Sequence, residues 1–266
     1  MTVSRDELLG VARSAVDVGA GLLRTADRGS IHTKSDRDYA TDLDHRIQGH
    51  IRRYLAEATP EFGFLGEEAD DMSPDRTARS MWILDPIDGT SNFIHGLPLC
   101  AVSLALVQDG EPIIGVVNAP FLGLEYHAAA DQGAIGNDKP IKASNIESVG
   151  RAIVSIGDYA VGLEAESKNK RRLALTAALA ATVERVRMFG SAALDLVWVA
   201  EGRTDACVML SNKPWDTIAG VLIAREAGAL VLDSTSRRHN LDSPDTIAAS
   251  PAIADQLMAL VEASLC

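Results

Sequence analysis

The segment Trp82 to Phe93, WILDPIDGTSNF, constrains this chain more than any other. Trp82, Ile83 and Leu84 form an apolar run too short for a helix, so they read as a buried strand ending at Asp85. Pro86 stops further strand pairing and fixes its own φ, while Gly89 is free to take a positive φ. The chain can then turn tightly enough to aim the Asp85 and Asp88 carboxylates, and the Ile87 carbonyl between them, at one point. Thr90, Ser91 and Asn92 favour a helix start, whose unpaired N–H groups make an anion site. A dication and a phosphate therefore fit side by side. Taken alone, Asp88-Gly89 is more often a plain turn and Asp85 a solvated strand end. The other acidic motifs decide between the readings.

Gly66-Glu67-Glu68 follows the apolar stretch Phe62 to Leu65 as a second strand end, and Trp215-Asp216-Thr217 opens a helical pattern. Asp42 follows Thr41 at the start of an amphipathic segment, which gives six carboxylates from four places in the sequence. Drawn into one cleft, such groups raise each other's pKa values or take up cations, and hard divalent ions such as Mg²⁺ prefer oxygen-only donors. A soft-metal alternative is missing. Cys100, Cys207 and Cys266 are far apart in sequence, and the six histidines show neither HExxH nor zinc-finger spacing. Each acidic residue also has a plain explanation by itself. Asp216 is a natural N-cap for Thr217 to Ala227, Glu67 with Glu68 a solvated pair, and Asp42 a capping or surface charge. The ensemble carries the site reading.

GEE at 66 to 68, DPIDGTSNF at 85 to 93 and WDTIAG at 215 to 220 resemble, in order and approximate spacing, the motifs of the inositol monophosphatase family of lithium-sensitive, magnesium-dependent phosphatases. The resemblance covers nearly the whole chain. It implies an α+β fold, a layered αβαβα sandwich of the inositol monophosphatase and fructose-1,6-bisphosphatase type, commonly a homodimer. It implies two or three Mg²⁺ per active site, with Glu67, Asp85 and the Ile87 carbonyl as ligands of a first ion and Asp85, Asp88 and Asp216 of a second. Glu68 and Asp42 resemble the family's supporting carboxylates. Thr90, hydrogen-bonded to Asp42, resembles the hydroxyl that orients the attacking water, and the Gly89 and Thr90 amides those that take the phosphate. Lys34, in the polar stretch His32 to Asp38, resembles the lysine of the mobile loop over the site. The activity implied is magnesium-dependent hydrolysis of a small phosphate monoester such as inositol 1-phosphate, without a covalent phosphoenzyme.

Substrate recognition departs from that pattern. The family's inositol-type members carry a glutamate seven residues before the aspartate matching Asp216, and this chain has Met209 there. A thioether is a weak acceptor for sugar hydroxyls, so polyol recognition is weakened and Ser211, Asn212 and Lys213 become candidates to compensate. Met209 reads equally well as an inward strand residue beside Val208 and Leu210. Gly190-Ser191-Ala192 resembles the segment lining the substrate ring. Histidinol phosphate and other sugar or nucleotide phosphates stay open, as does a non-catalytic metal-binding regulatory role.

Two helices are predicted first: one from a Ser4/Glu7 capping box to about Arg24, the next after Thr41 and ending before Pro60. Apolar β-branched runs at Ala101 to Val107 and Pro112 to Val117 flank Asp109-Gly110 as a hairpin, with a further strand at Glu125 to Ala129. Helical patterns recur at Lys168 to Ala181, Ala192 to Glu201, Asp216 to Ala227 and Pro251 to Leu265, the last capped by Ser250. The chain thus divides into an α plus antiparallel half, 1–145, and an α/β half, 146–266, meeting in the polar stretch Asn137 to Ser148. A formal charge of −12 disfavours tight nucleic-acid binding. The amino terminus lacks a signal-type apolar core, no segment holds 18 consecutive apolar residues, and scattered cysteines fit a reducing cytoplasm.

Overall fold

The computed structural model describes residues 4–68 and 78–265; Cys266 lies outside them. Helix α1 (Arg5–Thr25) begins at the expected capping box, with Ser4 Oγ accepting from Glu7 N (3.3 Å) and Glu7 Oε2 from Ser4 N (2.8 Å). A hairpin of β1 (Ile31–Ser35) and β2 (Asp38–Thr41) leads into α2 (Asp42–Ala58), where Thr41 and Asp44 form a second capping box.

Strands β3 (Gly63–Gly66) and β4 (Ser80–Asp88) follow, then the one-turn helix α3 (Thr90–Ile94). After it come β5 (Ala101–Gln108), β6 (Glu111–Ala119), β7 (Leu124–Ala129), β8 (Ala134–Gly136) and β9 (Lys139–Ile141). These strands make one seven-stranded sheet in chain order, antiparallel except for the β3–β4 pair. The β5–β6 hairpin turns on Asp109 (φ 52°) and Gly110 (φ 84°), the two positive values a tight hairpin turn requires.

The second half contains β10 (Ile153–Ile156), α4 (Ala165–Thr182), β11 (Arg185–Arg187), α5 (Ala192–Glu201), β12 (Ala206–Met209), α6 (Pro214–Glu226), β13 (Leu230–Leu232), β14 (Thr246–Ala249) and α7 (Ala254–Leu265). Its five-stranded sheet runs β11-β10-β12-β14-β13, with β10 parallel to both neighbours. The predicted start of the last helix needs correction. Pro251–Ile253 is a 3₁₀ turn, and Ser250 turns its hydroxyl to Ser144 O instead of capping.

Strand periodicity explains the layering. Along β4, Trp82 and Leu84 face the stripes of α1 and α2, among them Val16, Leu43 and Ile47. The alternate residues Met81 and Ile83 face α5 and α6. Helices α5 and α6 also touch Cys207, Val231 and Ala248 of the second sheet, whose far side meets α4 and α7 through Leu175, Leu179, Leu257 and Val261. Five layers result, α1α2, sheet, α5α6, sheet, α4α7: the αβαβα sandwich. Enclosed between sheets, α6 is buried nearly all round. It lies so close to β6 that a Cβ on Gly115 would stand 2.7 Å from the Ala219 carbonyl oxygen. No helix among the described residues is long and apolar enough to cross a membrane.

Candidate active site

Strand β4 does not stop at Pro86, contrary to the sequence reading. Its pairing with β5 is interrupted between Asp85 and Asp88 and resumes at Asp88 with Ala101. Proline removes one donor from the ladder, and the chain answers with an irregularity instead of an end. Asp85 Oδ1 accepts from Ile87 N (3.0 Å) inside that irregularity, which keeps both carboxylates buried at 3% and 5% exposure. Gly89 then takes φ 85°, and a Cβ there would lie 2.7 Å from the Leu99 carbonyl oxygen. Conformation and space both demand glycine.

A cleft of about 260 Å³ opens at this strand end, with Glu67, Asp85, Ile87, Asp88, Gly89, Thr90, Ser191, Ala192 and Asp216 on its walls. Four segments of the chain thus bring most of the expected site residues together. Asp216 arrives on the first turn of α6 as its third residue, not as its N-cap. Lys213 holds the cap position, and Asp216 Oδ2 accepts the Lys213 N–H (3.0 Å). Ser191 caps α5 and donates its hydroxyl to Asp88 Oδ2, while the Ala192 and Ala193 amides also donate to Asp88 at 3.1 and 3.2 Å. The expected ring-lining segment therefore serves first to fix a carboxylate.

The expected Asp42–Thr90 hydrogen bond is not formed. Asp42 accepts from Ser30 N (2.8 Å) and lies 2.5 Å from His32 Nε2, on the exposed side of the α2 start. The carboxylate beside Thr90 is Asp44: Thr90 Oγ1 lies 3.3 Å from Asp44 Oδ1 and donates to the Ile87 carbonyl at 2.9 Å. Residues two apart at a helix start point to opposite sides, so only one of the pair can face the sheet. Thr41 N and Oγ1 hold the other Asp44 oxygen at 2.7 and 2.5 Å. The Thr41/Asp44 capping-box spacing is the signal in the sequence that marks Asp44.

Lys34 belongs to the β1–β2 hairpin and donates to Glu67 Oε1 (2.7 Å) and Glu68 Oε1 (2.5 Å). Burial pulls its ammonium down, but Glu67 and Glu68 outweigh that and raise its pKa above the lysine norm. Glu68 donates its backbone N–H to Gln48 Oε1 (3.1 Å), and burial pushes its carboxyl up. Arg37, Asp38 and Tyr39 of the hairpin roof the cleft; Gly157, Asp158, Met209 and Ser211 line it too. Asp195, unmarked in the sequence reading, also lines it, 1% exposed and with Oδ1 unpartnered.

The electrostatics follow from burial. Desolvation, then Glu67, Asp88 and Asp216, drives Asp85 well above the ordinary carboxylate range. Desolvation lifts Asp88 to about 7 despite the bonds from Ser191, Ala193 and Ala192. Asp216 rises to about 8 through burial and then the charges of Asp88 and Glu67. Burial of Asp85, Asp88 and Asp216 so near one another favours either protonation or a neighbouring cation. Among the described residues, no group of three or more His, Cys, Asp or Glu is drawn close enough to grip an ion in its present arrangement. Lys34, Ser191 and the backbone donors hold the oxygens instead. The donor set of Glu67, Asp85, Asp88, Asp216 and the Ile87 carbonyl is nonetheless all oxygen, which fits a hard divalent cation.

A five-layer αβαβα fold whose strand-end cleft gathers carboxylates around one threonine hydroxyl defines a phosphoric monoester hydrolase. The family model for the inositol monophosphatase family matches residues 4–265, and the chain belongs to that family. It is 36% identical over 222 residues to "Nus factor SuhB" of Xylella fastidiosa, covering 84% of this chain and 78% of that one. It is 32% identical over 231 residues to "Inositol-1-monophosphatase ImpA" of Mycolicibacterium smegmatis, covering 87% and 83%. The solved extragenic suppressor protein suhB of Bartonella henselae superposes with a TM-score of 0.89 at 30% identity, covering 96% of this chain and 98% of that one.

Proposed function

We propose that this chain hydrolyses a small phosphate monoester with bound Mg²⁺, inositol 1-phosphate being the first candidate and histidinol phosphate or another sugar or nucleotide phosphate the alternative. One observation carries the reading: Asp85, Asp88, Asp216, Glu67 and the Asp44-linked Thr90 line a single cleft. Glu67, Asp85 and the Ile87 carbonyl would hold one ion and Asp85, Asp88 and Asp216 a second. Divalent ions held there would supply the chemistry of lowering the pKa of a water and offsetting charge on the leaving oxygen. The residues supply the rest. Thr90 Oγ1, fixed between Asp44 and the Ile87 carbonyl, orients a water for in-line attack. Glu67 stands ready to take its proton, and Lys34 holds Glu67 and Glu68 in place. Gly89 and Thr90 present backbone N–H groups at a turn where phosphate oxygens fit.

The reading includes a homodimer and a cytoplasmic setting. Asn92 Nδ2 donates to the carbonyls of Leu99 and Phe189, tying the 92–99 loop to the segment after β11, and Phe93 stacks on Phe121 at 6.3 Å. Leu97, Phe121 and Met188 on these segments are 51%, 42% and 43% exposed, the apolar surface a second copy would cover. A regulatory binding role, favoured by the Nus factor name of a relative, is the second reading. A purely binding protein has no use for a hydroxyl fixed beside the cluster. The deciding experiment is phosphate release from myo-inositol 1-phosphate, histidinol phosphate, fructose 1,6-bisphosphate and adenosine 3′,5′-bisphosphate, with Mg²⁺ and with EDTA. Magnesium-dependent release supports hydrolysis, and no release from any of them refutes it for these esters.

A further inference from the structure

Arg172 is a buried cation beside the cleft that the hydrolytic machinery does not use. It falls on the inner stripe of α4 with Leu175 and Leu179, three and seven residues on, and is only 8% exposed. Its Nη2 donates to Ser211 Oγ at 2.7 Å, and Ser211 lines the cleft. Burial lowers the Arg172 pKa, with the field of Asp158 acting in the opposite sense. Among the described residues no carboxylate forms an ion pair with it. Gly157 lines both the cleft and the narrow crevice that holds Arg172, so guanidinium and substrate space adjoin.

The remaining distal wall points the same way. Met209 ends β12 at 3% exposure, and its sulfur accepts hydrogen bonds weakly. Asn212 turns its amide to Thr246, and Lys213 caps α6, so of the three expected compensating residues Ser211 alone lines the cleft. Ser211 Oγ already accepts from Arg172, which leaves its proton to be donated into the cleft. A hydroxyl polarised by a desolvated guanidinium is a donor for negative charge. Arg37, on the hairpin roof, adds a second cation to the lining. Asp158 and Asp38 oppose them from exposed positions, where water and salt screen them, and Asp195 from a buried one, where burial favours its protonated form.

We propose that Ser211, with Arg172 behind it, forms a subsite for a second anionic group on the alcohol side of the substrate, a carboxylate or a second phosphate. The inference rests on the phosphatase reading and narrows its substrate class away from neutral polyols. A carboxylate and a phosphate share the chemistry of accepting a charge-assisted hydrogen bond, and the test separates them.

The test compares phosphate release from glycerol 2-phosphate, 3-phosphoglycerate and fructose 1,6-bisphosphate by the Mg²⁺-loaded wild type, Ser211→Ala and Asp158→Asn. The readout is the KM for each anion-bearing ester divided by that for glycerol 2-phosphate. Ser211→Ala is expected to raise this ratio about tenfold, the loss of one hydrogen bond to a charged group. Asp158→Asn is expected to lower it, since the opposing charge is gone. A response confined to 3-phosphoglycerate identifies a carboxylate subsite, and one confined to the bisphosphate a phosphate subsite. Ratios that stay flat in both variants overturn the proposal. If the wild type releases no phosphate from any ester, the phosphatase reading falls separately. Calorimetric binding of the same esters then decides the subsite: a Ser211→Ala loss confined to the anion-bearing ones keeps it, and an equal loss overturns it.

Discussion

Asp88→Asn is expected to stabilise the metal-free protein at pH 8 while abolishing turnover. The carboxyl titrates near 7 in the fold against 3.8 for the ordinary group. Because the folded state holds its proton more tightly, the stabilisation from that proton is fully present below pH 3.8. It is lost as pH rises towards 7, where the charged form must be buried. An interval of about three pH units at about 1.4 kcal/mol each sets an upper limit near 4 kcal/mol. Protonation of Asp88 also relieves Asp85 and Asp216, so part of that limit is shared. An asparagine oxygen can keep only some of the three donors from Ser191, Ala192 and Ala193. A net gain of about 2 kcal/mol, roughly 4 °C in Tm for a chain of this size, remains.

The assay is thermal unfolding in EDTA at pH 5 and pH 8, with a parallel pair in Mg²⁺. The variant should melt higher than the wild type at pH 8, match it more nearly at pH 5, and respond less to Mg²⁺, because binding to the folded state alone is what raises Tm. An Asp88→Asn protein that melts lower than wild type in EDTA at pH 8, or gains equally at both pH values, refutes the reasoning.

Three further outcomes are expected. Asp44→Asn should lower kcat by about 10²-fold, the scale of a lost catalytic positioning group, while Asp42→Asn leaves kcat within reach of wild type; steady-state kinetics on the two variants reverses the assignment if Asp42 proves the sensitive one. Gly89→Ala should destabilise by at least about 2 kcal/mol, since left-handed φ costs about 1–2 kcal/mol and the methyl meets the Leu99 carbonyl as well; urea denaturation with an unchanged midpoint contradicts this. Met209→Glu should improve turnover of inositol 1-phosphate by restoring a hydroxyl acceptor, read as a fall in KM, and a loss of turnover shows that the distal wall recognises something else.

The legible parts of the fold were those governed by local chemistry. Ser4 with Glu7, the Asp109-Gly110 turn and the apolar period of Ala192 to Glu201 each name their element without help from the rest of the chain. The errors lie where tertiary context overrides a local rule. Pro86 ends strands in general, yet here the partner β5 picks up the pairing again at Ala101. Asp42 and Asp44 both follow Thr41 closely; the Thr41/Asp44 capping-box spacing marks Asp44 in the sequence, but that it faces Thr90 follows only from how α2 meets the seven-stranded sheet. Asp216 looks like a cap because it precedes an apolar run, but Pro214 already fits the first turn. Arg172 and Asp195 stayed hidden for another reason: a charged residue among helical apolar neighbours reads as solvent-facing until the layer above it is known.

The β1–β2 hairpin carries a consequence for dynamics. All five residues of β1 are exposed, and beyond its ladder to β2 its side-chain ties to the body are the Lys34 bridges to Glu67 and Glu68 and those of His32, which contacts Asp42 and the His45 ring. Lifting β1 therefore exposes almost no new apolar surface, so its opening carries almost no denaturant dependence, unlike the unfolding of the layers beneath. Amide hydrogen exchange across residues 31–35 should accelerate with added salt, which screens those ties, and stay nearly indifferent to low urea.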